Sequence, residues 1–332
     1  MKPIKIAQVG TWHDHAWPTY KSIKDLTDTY DVIGIAEPSD IMSYAFRNEK
    51  NIFTVEQLLN MEDLDAVTIE CDEEKSTYYA TLFAQKGIAV HLDKPGTEDL
   101  RTFTQLINIV KEKNVPFQMG YMYRYNPLVI QCMKDIKQGK LGKIYSIEAQ
   151  MSACHTVEKR RRLGKYKGGM MYFLGCHLID LILQIQGMPK YIRPFNACTE
   201  SELIGGAKDF GFAVLDYGYG SSFVKVCANE TNGFERRQFV VTGTEGTFEI
   251  KPFETKISQN DSELVSKAHI TYKSEVSDIW RDNSMEITSK GYDRYNPMML
   301  DFAAYIRGEK ENPYTYDYEL KLFETLIRCC DI

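Results

Sequence analysis

The segment Ile88-Ala89-Val90-His91-Leu92-Asp93-Lys94-Pro95 decides how the chain is interpreted. Residues 88–92 predict a short buried strand, which Pro95 ends because proline cannot donate to a strand ladder. Thr97 and the acids after it predict the N-cap and first turn of a helix. Lys94 is therefore expected where a buried strand gives way to a helix, the position at which open α/β sheets bind ligands. A Lys-Pro pair alone also fits an exposed turn. The order of the surrounding strands and helices decides between an exposed turn and a ligand-binding position.

Strands and helices alternate on both sides of this segment. We predict strands at residues 4–10, 31–36, 52, 66–69, 88–92 and 116–119. We predict helices at residues 14–26, 40–47, 55–60, 75–86 and 98–113. This alternation is typical of βαβ units in a doubly wound parallel sheet. The fold class is therefore α/β, with an N-terminal Rossmann domain over residues 1–120.

The pattern changes after Gly120. Helices are predicted at residues 127–138, 171–185, 297–307 and 317–330. A strand is predicted at residues 143–151. Further alternating strands are predicted at residues 210–217, 221–228, 236–242 and 246–250, within a strand-like stretch from 192 to 271. Alternation with short turns favours an antiparallel sheet that is covered on one face. Residues 121–332 are expected to form an α+β domain with a large, mostly antiparallel open sheet.

Composition limits the classes of function. A chain of 332 residues is long enough for two domains with separate cores. Its net charge of −6 argues against nucleic acid as the main partner. No apolar run reaches the length of a membrane span. The eight cysteines are scattered without a C-x-x-C pair, which favours reduced thiols and a cytoplasmic location.

The first turn between strand and helix reads Gly10-Thr11-Trp12-His13-Asp14-His15. Dinucleotide-binding turns use glycines so that the backbone can approach the diphosphate. Trp12 and His15 occupy the second and third glycine positions. Trp12 either fills the space that a diphosphate needs or turns aside and frees the amides of Trp12 and His13. The two histidines stand two residues apart without a ligand set at metal spacing, so no metal is predicted.

Glu37 ends the second predicted strand. An acid at this place hydrogen-bonds the adenosine ribose, and its charge repels a 2′-phosphate. NAD is therefore favoured over NADP. The alternative is a solvated turn residue before Pro38.

Four motifs resemble the Gfo/Idh/MocA oxidoreductases over essentially the whole chain. They are Asp93-Lys94-Pro95, the aromatic-Arg segment at residues 120–127, Gly168-Gly169 with Gly-Cys-His-Leu-Ile-Asp at residues 175–180, and Gly243-Thr244-Glu245-Gly246. The resemblance implies an NAD(P)-dependent oxidoreductase that takes hydride from a secondary hydroxyl of a sugar, cyclitol or derivative. It also implies a homodimer or homotetramer formed through the C-terminal sheet.

The resemblance assigns catalytic roles. Lys94 would polarise the reacting oxygen, and His177 would take the hydroxyl proton, which suits a side chain with a pKa near neutrality. Asp180 would orient His177 or anchor its helix. The family often carries an aspartate where this chain has Phe173, and Tyr172 is the nearest proton-bearing substitute. His177 could instead be a packed helix histidine bonded to Asp180.

The resemblance also assigns binding roles. The expected cofactor residues are Gly10, Thr11, Trp12, His13, Glu37, Cys71, Asp93 and Lys94. An acidic run at residues 70–74 replaces the family's Thr-Pro or Asn-Pro and would disfavour phosphates unless it points outward. The expected substrate residues are Tyr123, Arg124 and Arg162. Arg162 ends a basic run at residues 159–162, which is either an anion site or a solvated loop.

Two alternatives to a dehydrogenase remain open. One is a glycosidase-like enzyme that uses transient oxidation for elimination and keeps its NAD. The other is a non-catalytic nucleotide- or sugar-binding regulator on the same fold. Retained Lys94 and His177 favour an enzyme, whereas the altered first turn and Phe173 favour a regulator.

Overall fold

The computed structural model describes residues 2–39, 41–256, 263–273 and 283–332. The chain forms two compact units. The first comprises Met1–Met122 and Arg294–Phe323, and the second comprises Tyr123–Asp293 and Glu324–Ile332. The sequence-based division at residue 120 placed Arg294–Phe323 in the second domain, whereas here these residues pack in the first unit.

The first unit is built on a parallel sheet of six strands. They are β1 (Ile4–Val9), β2 (Tyr30–Ala36), β3 (Ile52–Phe53), β4 (Ala66–Ile69), β5 (Ala89–Leu92) and β6 (Phe117–Met119). Their order is β3-β2-β1-β4-β5-β6, which confirms the predicted doubly wound sheet. Every residue of β4 and β5 is buried, as expected for strands covered on both faces.

Four helices of the first unit follow its strands. They are α1 (Ala16–Asp25), α2 (Val55–Leu59), α3 (Glu73–Gln85) and α4 (Leu100–Glu112). Helix α4 buries apolar side chains at the spacing of one helix face: Phe103, Leu106, Ile107 and Val110. Asp99, not the predicted Thr97, caps α4, because its carboxylate accepts from the amides of Arg101 and Thr102. The predicted helix at 40–47 is only a 3₁₀ turn, Tyr44–Phe46, in the described residues there; residue 40 lies outside them.

The late segment joins the first unit through α9 (Asn296–Ile306) and the beginning of α10 (Tyr316–Cys330). The hydroxyl group of Tyr30 donates to the carbonyl of Met299 at 2.6 Å. The rings of Phe103 and Phe323 stack with centroids 4.3 Å apart. These contacts between distant parts of the sequence explain why the segment returns to the first unit.

The second unit contains an eight-stranded sheet. Its strands are β7 (Ile144–Ser152), β8 (Tyr191–Ala197), β9 (Phe210–Asp216), β10 (Ser221–Cys227), β11 (Gln238–Gly243), β12 (Gly246–Ile250), β15 (Lys267–Tyr272) and β16 (Met285–Thr288). Their order is β16-β15-β12-β11-β7-β10-β9-β8. Within this sheet, among the residues that the structure describes, only the β7–β10 pair is parallel. The predicted mostly antiparallel sheet is therefore confirmed. A separate pair joins β13 (Thr255–Lys256) to β14 (Leu264–Val265).

The helices of the second unit include α5 (Pro127–Lys137), α6 (Val157–Arg162), α7 (Cys176–Gln186) and α8 (Ser201–Ile204). A π-helical turn, Met171–Gly175, precedes α7, so the helix predicted at 171–185 is not uniform. Such turns redirect the side chains around them and are frequent at functional sites. In the described part of the chain, no helix is both long and apolar enough to cross a membrane.

Candidate functional site

The register of the parallel sheet gathers the ends of its strands at one edge. Val9 pairs with both Ala36 and Ile69, and Ile69 pairs with Leu92. The residues that follow these strands, including Glu37 and Lys94, therefore emerge at the carboxyl edge. This is where the sequence predicted a ligand site, and it is where open α/β sheets bind ligands.

Gly10 begins the first turn with φ of 94°, a conformation that favours glycine. A Cβ atom there would lie 2.3 Å from the backbone of Cys71. Gly10 is therefore needed for the close approach of the residues after β1 and β4. Burial raises the pKa of the Cys71 thiol.

The rest of the turn is bonded to the protein itself. The Thr11 hydroxyl donates to Glu37 Oε2 at 2.5 Å, and the Trp12 indole donates to the Ile41 carbonyl at 2.5 Å. The amide of His13 donates to the Glu70 carbonyl at 3.2 Å. The amide of His13 is therefore bonded within the protein here, whereas the alternative in which Trp12 turns aside leaves it free for a diphosphate. Trp12 is 52% exposed.

A cavity of about 410 Å³ lies beside this turn. It is lined by Trp12, Glu37, Pro38, Ser39, Ile41, Cys71, Asp72, Glu74, Lys75 and Tyr79. Glu37 is fixed there, because its Oε1 accepts from the amide and hydroxyl of Ser39 at 2.9 and 2.7 Å. The cavity combines aromatic surface with an anchored carboxylate, so its residues fit the adenosine half of a dinucleotide.

The acidic run divides between surface and interior. Asp72 and Glu74 line the cavity, while Glu70 and Glu73 are buried. Asp72 also caps α3 by accepting from the amide of Glu74. Burial and the charge of Asp93 raise the pKa of Glu70 well above its usual value. Glu70 and Glu73 thus point into the first unit. Phosphate binding would instead favour acids that point outward to solvent.

Glu70 and Glu73 belong to a buried cluster around His13. Asp93 bonds to His13 Nδ1 and also contacts His15 Nδ1, at 3.1 Å from Oδ2 and 3.2 Å from Oδ1. Glu73 Oε1 lies 3.4 Å from His13 Nε2, and Glu70 Oε2 lies 3.8 Å from His13 Nδ1. Sequence spacing gave no carboxylate beside the two histidines, but the end of β5 supplies one. We call these five residues the histidine–carboxylate cluster.

The protonation of the cluster follows from its burial and charges. Burial lowers the pKa of His13, but the charges of Asp93 and Glu73 and their hydrogen bonds outweigh it and raise the pKa to about 10. For His15, burial dominates and lowers the pKa to about 4. Burial raises the pKa of Asp93, but the two histidines hold it well below its usual value.

Lys94 lies at the edge of this cluster. It is only 2% exposed. Its positive charge adds to the burial that lowers the pKa of His15 and partly offsets the burial that raises the pKa of Glu70. A buried lysine is rare in proteins unless its charge is used or paired. Lys94 therefore lies after a buried strand, as predicted, and its charge acts on the ionisable groups around it.

The second unit holds the other predicted catalytic side chains. His177 lies in the first turn of α7 and is 2% exposed. The ring of Tyr123 meets its imidazole edge to face, with centroids 4.8 Å apart. The Tyr123 hydroxyl donates to Glu254 Oε1 at 2.6 Å. Tyr172 is fully buried in the π-helical turn.

Asp180 binds Arg124. Arg124 Nε donates to Asp180 Oδ2 at 2.9 Å, and Nη2 donates to Oδ1 at 2.8 Å. Gln184 Nε2 also donates to Oδ2 at 2.9 Å. Of the two roles expected for Asp180, these contacts match the anchoring of α7. They also place Arg124, an expected substrate residue, in a buried ion pair.

The basic run at 159–162 is not a set of equivalent cations. Arg160 is buried, with Nε donating to Asp209 Oδ2 at 2.9 Å and Nη1 lying 2.7 Å from Glu200 Oε2. Arg161 Nε donates to the carbonyl of Leu203 at 2.8 Å. Arg160 is therefore buried and paired with carboxylates, which neither of the two alternatives for the run describes. Arg162 is exposed and stays a candidate substrate residue.

Two family models match the chain. The Gfo/Idh/MocA oxidoreductase family with its NAD-binding Rossmann fold matches residues 4–121, and the family's C-terminal domain matches residues 130–249. The chain therefore belongs to the Gfo/Idh/MocA family of oxidoreductases.

Curated relatives are distant. The uncharacterized oxidoreductase YhhX of Escherichia coli is 24% identical over 58% of this chain and 55% of its own length. The scyllo-inositol 2-dehydrogenase (NADP(+)) IolW of Bacillus subtilis is 24% identical over 60% of this chain and 58% of its own. In both sequence matches the chain spans little more than half of the relative's length.

Solved structures share the fold over nearly the whole chain. The crystal structure of yhhX has a TM-score of 0.78 and 18% identity, covering 99% of this chain and 97% of that one. UDP-N-acetylglucosamine 3-dehydrogenase GnnA from Acidithiobacillus ferrooxidans has a TM-score of 0.76 and 16% identity, covering 99% and 97%. At such identities the likeness shows the fold.

Proposed function

We propose that the chain is an NAD-dependent dehydrogenase that oxidises a secondary hydroxyl group of a sugar, cyclitol or derivative. The family match supports the oxidoreductase class. The names of two relatives, a scyllo-inositol dehydrogenase and a sugar-nucleotide dehydrogenase, support the class of substrate. When bound, the nicotinamide ring supplies the hydride acceptor.

The preference for NAD depends on Glu37. Its carboxylate is held at the cavity by Thr11 and Ser39, which orient it as an acceptor for ribose hydroxyl groups. The same negative charge opposes a 2′-phosphate. The relative IolW is named for NADP, so cofactor choice within the family must be tested directly.

The observation that carries the proposal is the buried ammonium group of Lys94 at the carboxyl edge. A cation held in a buried site stabilises an alkoxide more than water does, because no solvent must reorganise around the developing charge. We assign Lys94 the role of polarising the substrate oxygen. Asp93, which binds His13 and His15, fixes the backbone just before it.

We assign His177 the role of general base for the hydroxyl proton. An imidazole has an ordinary pKa near working pH and suits this transfer. The ring of Tyr123 restricts the orientation of His177, and Glu254 holds Tyr123 in turn. Asp180 acts on the position of α7 through Arg124.

The proposal is tested by screening polyols and sugars for NADH absorbance with the full-length protein. We expect Lys94→Ala and His177→Ala each to lower turnover by about 10²–10⁴-fold, the usual contribution of such groups. Matched controls are Lys111→Ala, which removes an exposed lysine, and His269→Ala, on the sheet of the second unit. Wild-type turnover in both catalytic variants would contradict the assigned roles. NAD binding without turnover on any polyol would favour the regulator alternative.

Three further predictions belong to this proposal. We expect a cytoplasmic location, for which the eight free cysteines are supporting evidence. We expect a homodimer or homotetramer that uses the sheet of the second unit. We also expect net NADH release, which separates a dehydrogenase from a glycosidase-like enzyme that retains its cofactor.

A further inference from the structure

We propose that His13, His15 and Asp93 form a binding site for one divalent transition-metal ion, with Zn²⁺ as its probe. The site shares His13 and Asp93 with the expected cofactor residues, but the proposal goes beyond the dehydrogenase function, and its test measures ion binding rather than turnover. Two histidines and one carboxylate are a ligand set that Zn²⁺ and related ions use in proteins.

The geometry suits a single ion. One ligand atom from each of the three side chains lies within 4.8 Å of the other two. Ligand atoms at about 2.0–2.2 Å from a tetrahedral ion are about 3.4 Å apart. An ion would therefore require His13 Nδ1 and Asp93 Oδ2, which are now in direct contact, to separate, and pairs as far apart as 4.8 Å to close. The separation of His15 Nδ1 and Asp93 Oδ2, 3.1 Å, is already close to the tetrahedral spacing.

The surroundings of His13 also match a metal ligand. With Nδ1 directed to Asp93, the opposite ring nitrogen Nε2 lies 3.4 Å from Glu73 Oε1. A histidine that binds a metal commonly directs its other nitrogen to a carboxylate, which fixes the ring and its tautomer. His13 is buried, and the carboxylate of Glu73 faces its Nε2.

Glu70 gives a second, independent indication. It is fully buried, and neither carboxylate oxygen has a partner at hydrogen-bond geometry in the ranges that the structure describes. Its Oε2 lies 3.8 Å from His13 Nδ1, beside the three proposed ligands. Buried carboxylates are normally paired or bound to metals. A bound dication would lie beside the carboxyl groups of Asp93, Glu70 and Glu73.

The experiment uses the full-length protein after treatment with a chelator. CoCl₂ is titrated while visible absorption is recorded, and ZnCl₂ is then added and its heat of binding measured by calorimetry. We expect one Co²⁺ per chain, with visible bands that Zn²⁺ abolishes by displacement. No saturable Co²⁺ or Zn²⁺ binding to the folded wild-type protein would overturn the proposal.

Variants locate the site. His15→Ala, at the less buried histidine, and Asp93→Asn should weaken Co²⁺ binding by at least about 10-fold, and Glu73→Gln by about 10- to 100-fold. His269→Ala, in the second unit, should bind as wild type does. Circular dichroism without metal checks that each variant is folded. If Asp93→Asn does not fold, His15→Ala alone is sufficient to test the site. Undiminished binding in folded His15→Ala, or a loss only in His269→Ala, would overturn the assignment.

Discussion

The buried ion pair between Arg124 and Asp180 gives the sharpest test of how the second unit is held together. Both side chains are 1% exposed, and two parallel hydrogen bonds join them. Asp180→Asn keeps the size of the side chain but leaves the guanidinium without its counter-charge. We expect this substitution to destabilise the second unit strongly.

The magnitude follows from the burial of both charges. Removing one partner of a buried pair costs about 3–5 kcal/mol, because the remaining charge stays desolvated. At about 1.4 kcal/mol per tenfold change, this is a rise of about 10²–10³·⁵-fold in the unfolding equilibrium constant. Replacing both residues, as in Arg124→Met with Asp180→Leu, should recover most of the loss, because no charge is then stranded.

The assay is urea denaturation followed by far-ultraviolet circular dichroism, with hydrogen exchange of peptides from α7 to localise the effect. Glu158→Gln is the matched control, because it removes a carboxylate from the exposed pair with Arg162 and should change stability by less than about 0.5 kcal/mol. A loss below about 1 kcal/mol for Asp180→Asn, or a double variant no more stable than the single one, would refute the reasoning.

Three other predictions follow from single contacts. Gly10→Ala should lower the melting temperature in a thermal scan, because the new Cβ would lie 2.3 Å from the backbone of Cys71; an unchanged melting temperature would contradict this. Glu37→Gln should raise the affinity for NADP relative to NAD in calorimetric titrations, because it removes the charge that opposes a 2′-phosphate, and an unaltered ratio would count against its role. Burial raises the pKa of Glu230, but the hydrogen bond and charge of Lys225 outweigh burial, and the pKa is lowered overall. The ionised Glu230 therefore stabilises the fold at pH values above its unfolded pKa of 4.5, and this stabilisation is lost as the pH falls through its folded pKa. The stability difference between wild type and Glu230→Gln should therefore shrink on acidification, and a difference that grows would show the wrong sign.

The parallel sheet could be predicted because its signal is local. Buried strands such as β4 and β5 are short apolar runs, and the helices between them bury side chains at helical spacing. The return of Arg294–Phe323 to the first unit could not be predicted in this way. It depends on contacts such as that between Tyr30 and Met299, which lie far apart in the sequence.

Sequence-based predictions were wrong at two positions where the local residues fit more than one structure. Thr97 and Asp99 are both good N-cap residues, and only the backbone path shows that Asp99 takes the cap of α4. A π-helical turn keeps nearly helical periodicity, so Met171–Gly175 looked like ordinary helix.

In the candidate site, too, residues with a local sequence signal were predicted, and contacts between distant residues were not. Lys94 and Glu37 were found because each follows a predicted strand, and parallel strands end at one edge. The histidine–carboxylate cluster was missed because His13 and Asp93 are far apart in sequence and meet only through the register of β1, β4 and β5. The acidic run beginning at Glu70 was the available signal, and its position after β4 aims part of it at His13.

The central claim is that the first unit binds NAD for hydride transfer, and calorimetric titration of the purified full-length protein tests it most directly. We predict saturable binding of one NAD per chain, with NADP binding more weakly. An absence of any binding heat or thermal shift at saturating NAD would contradict the account.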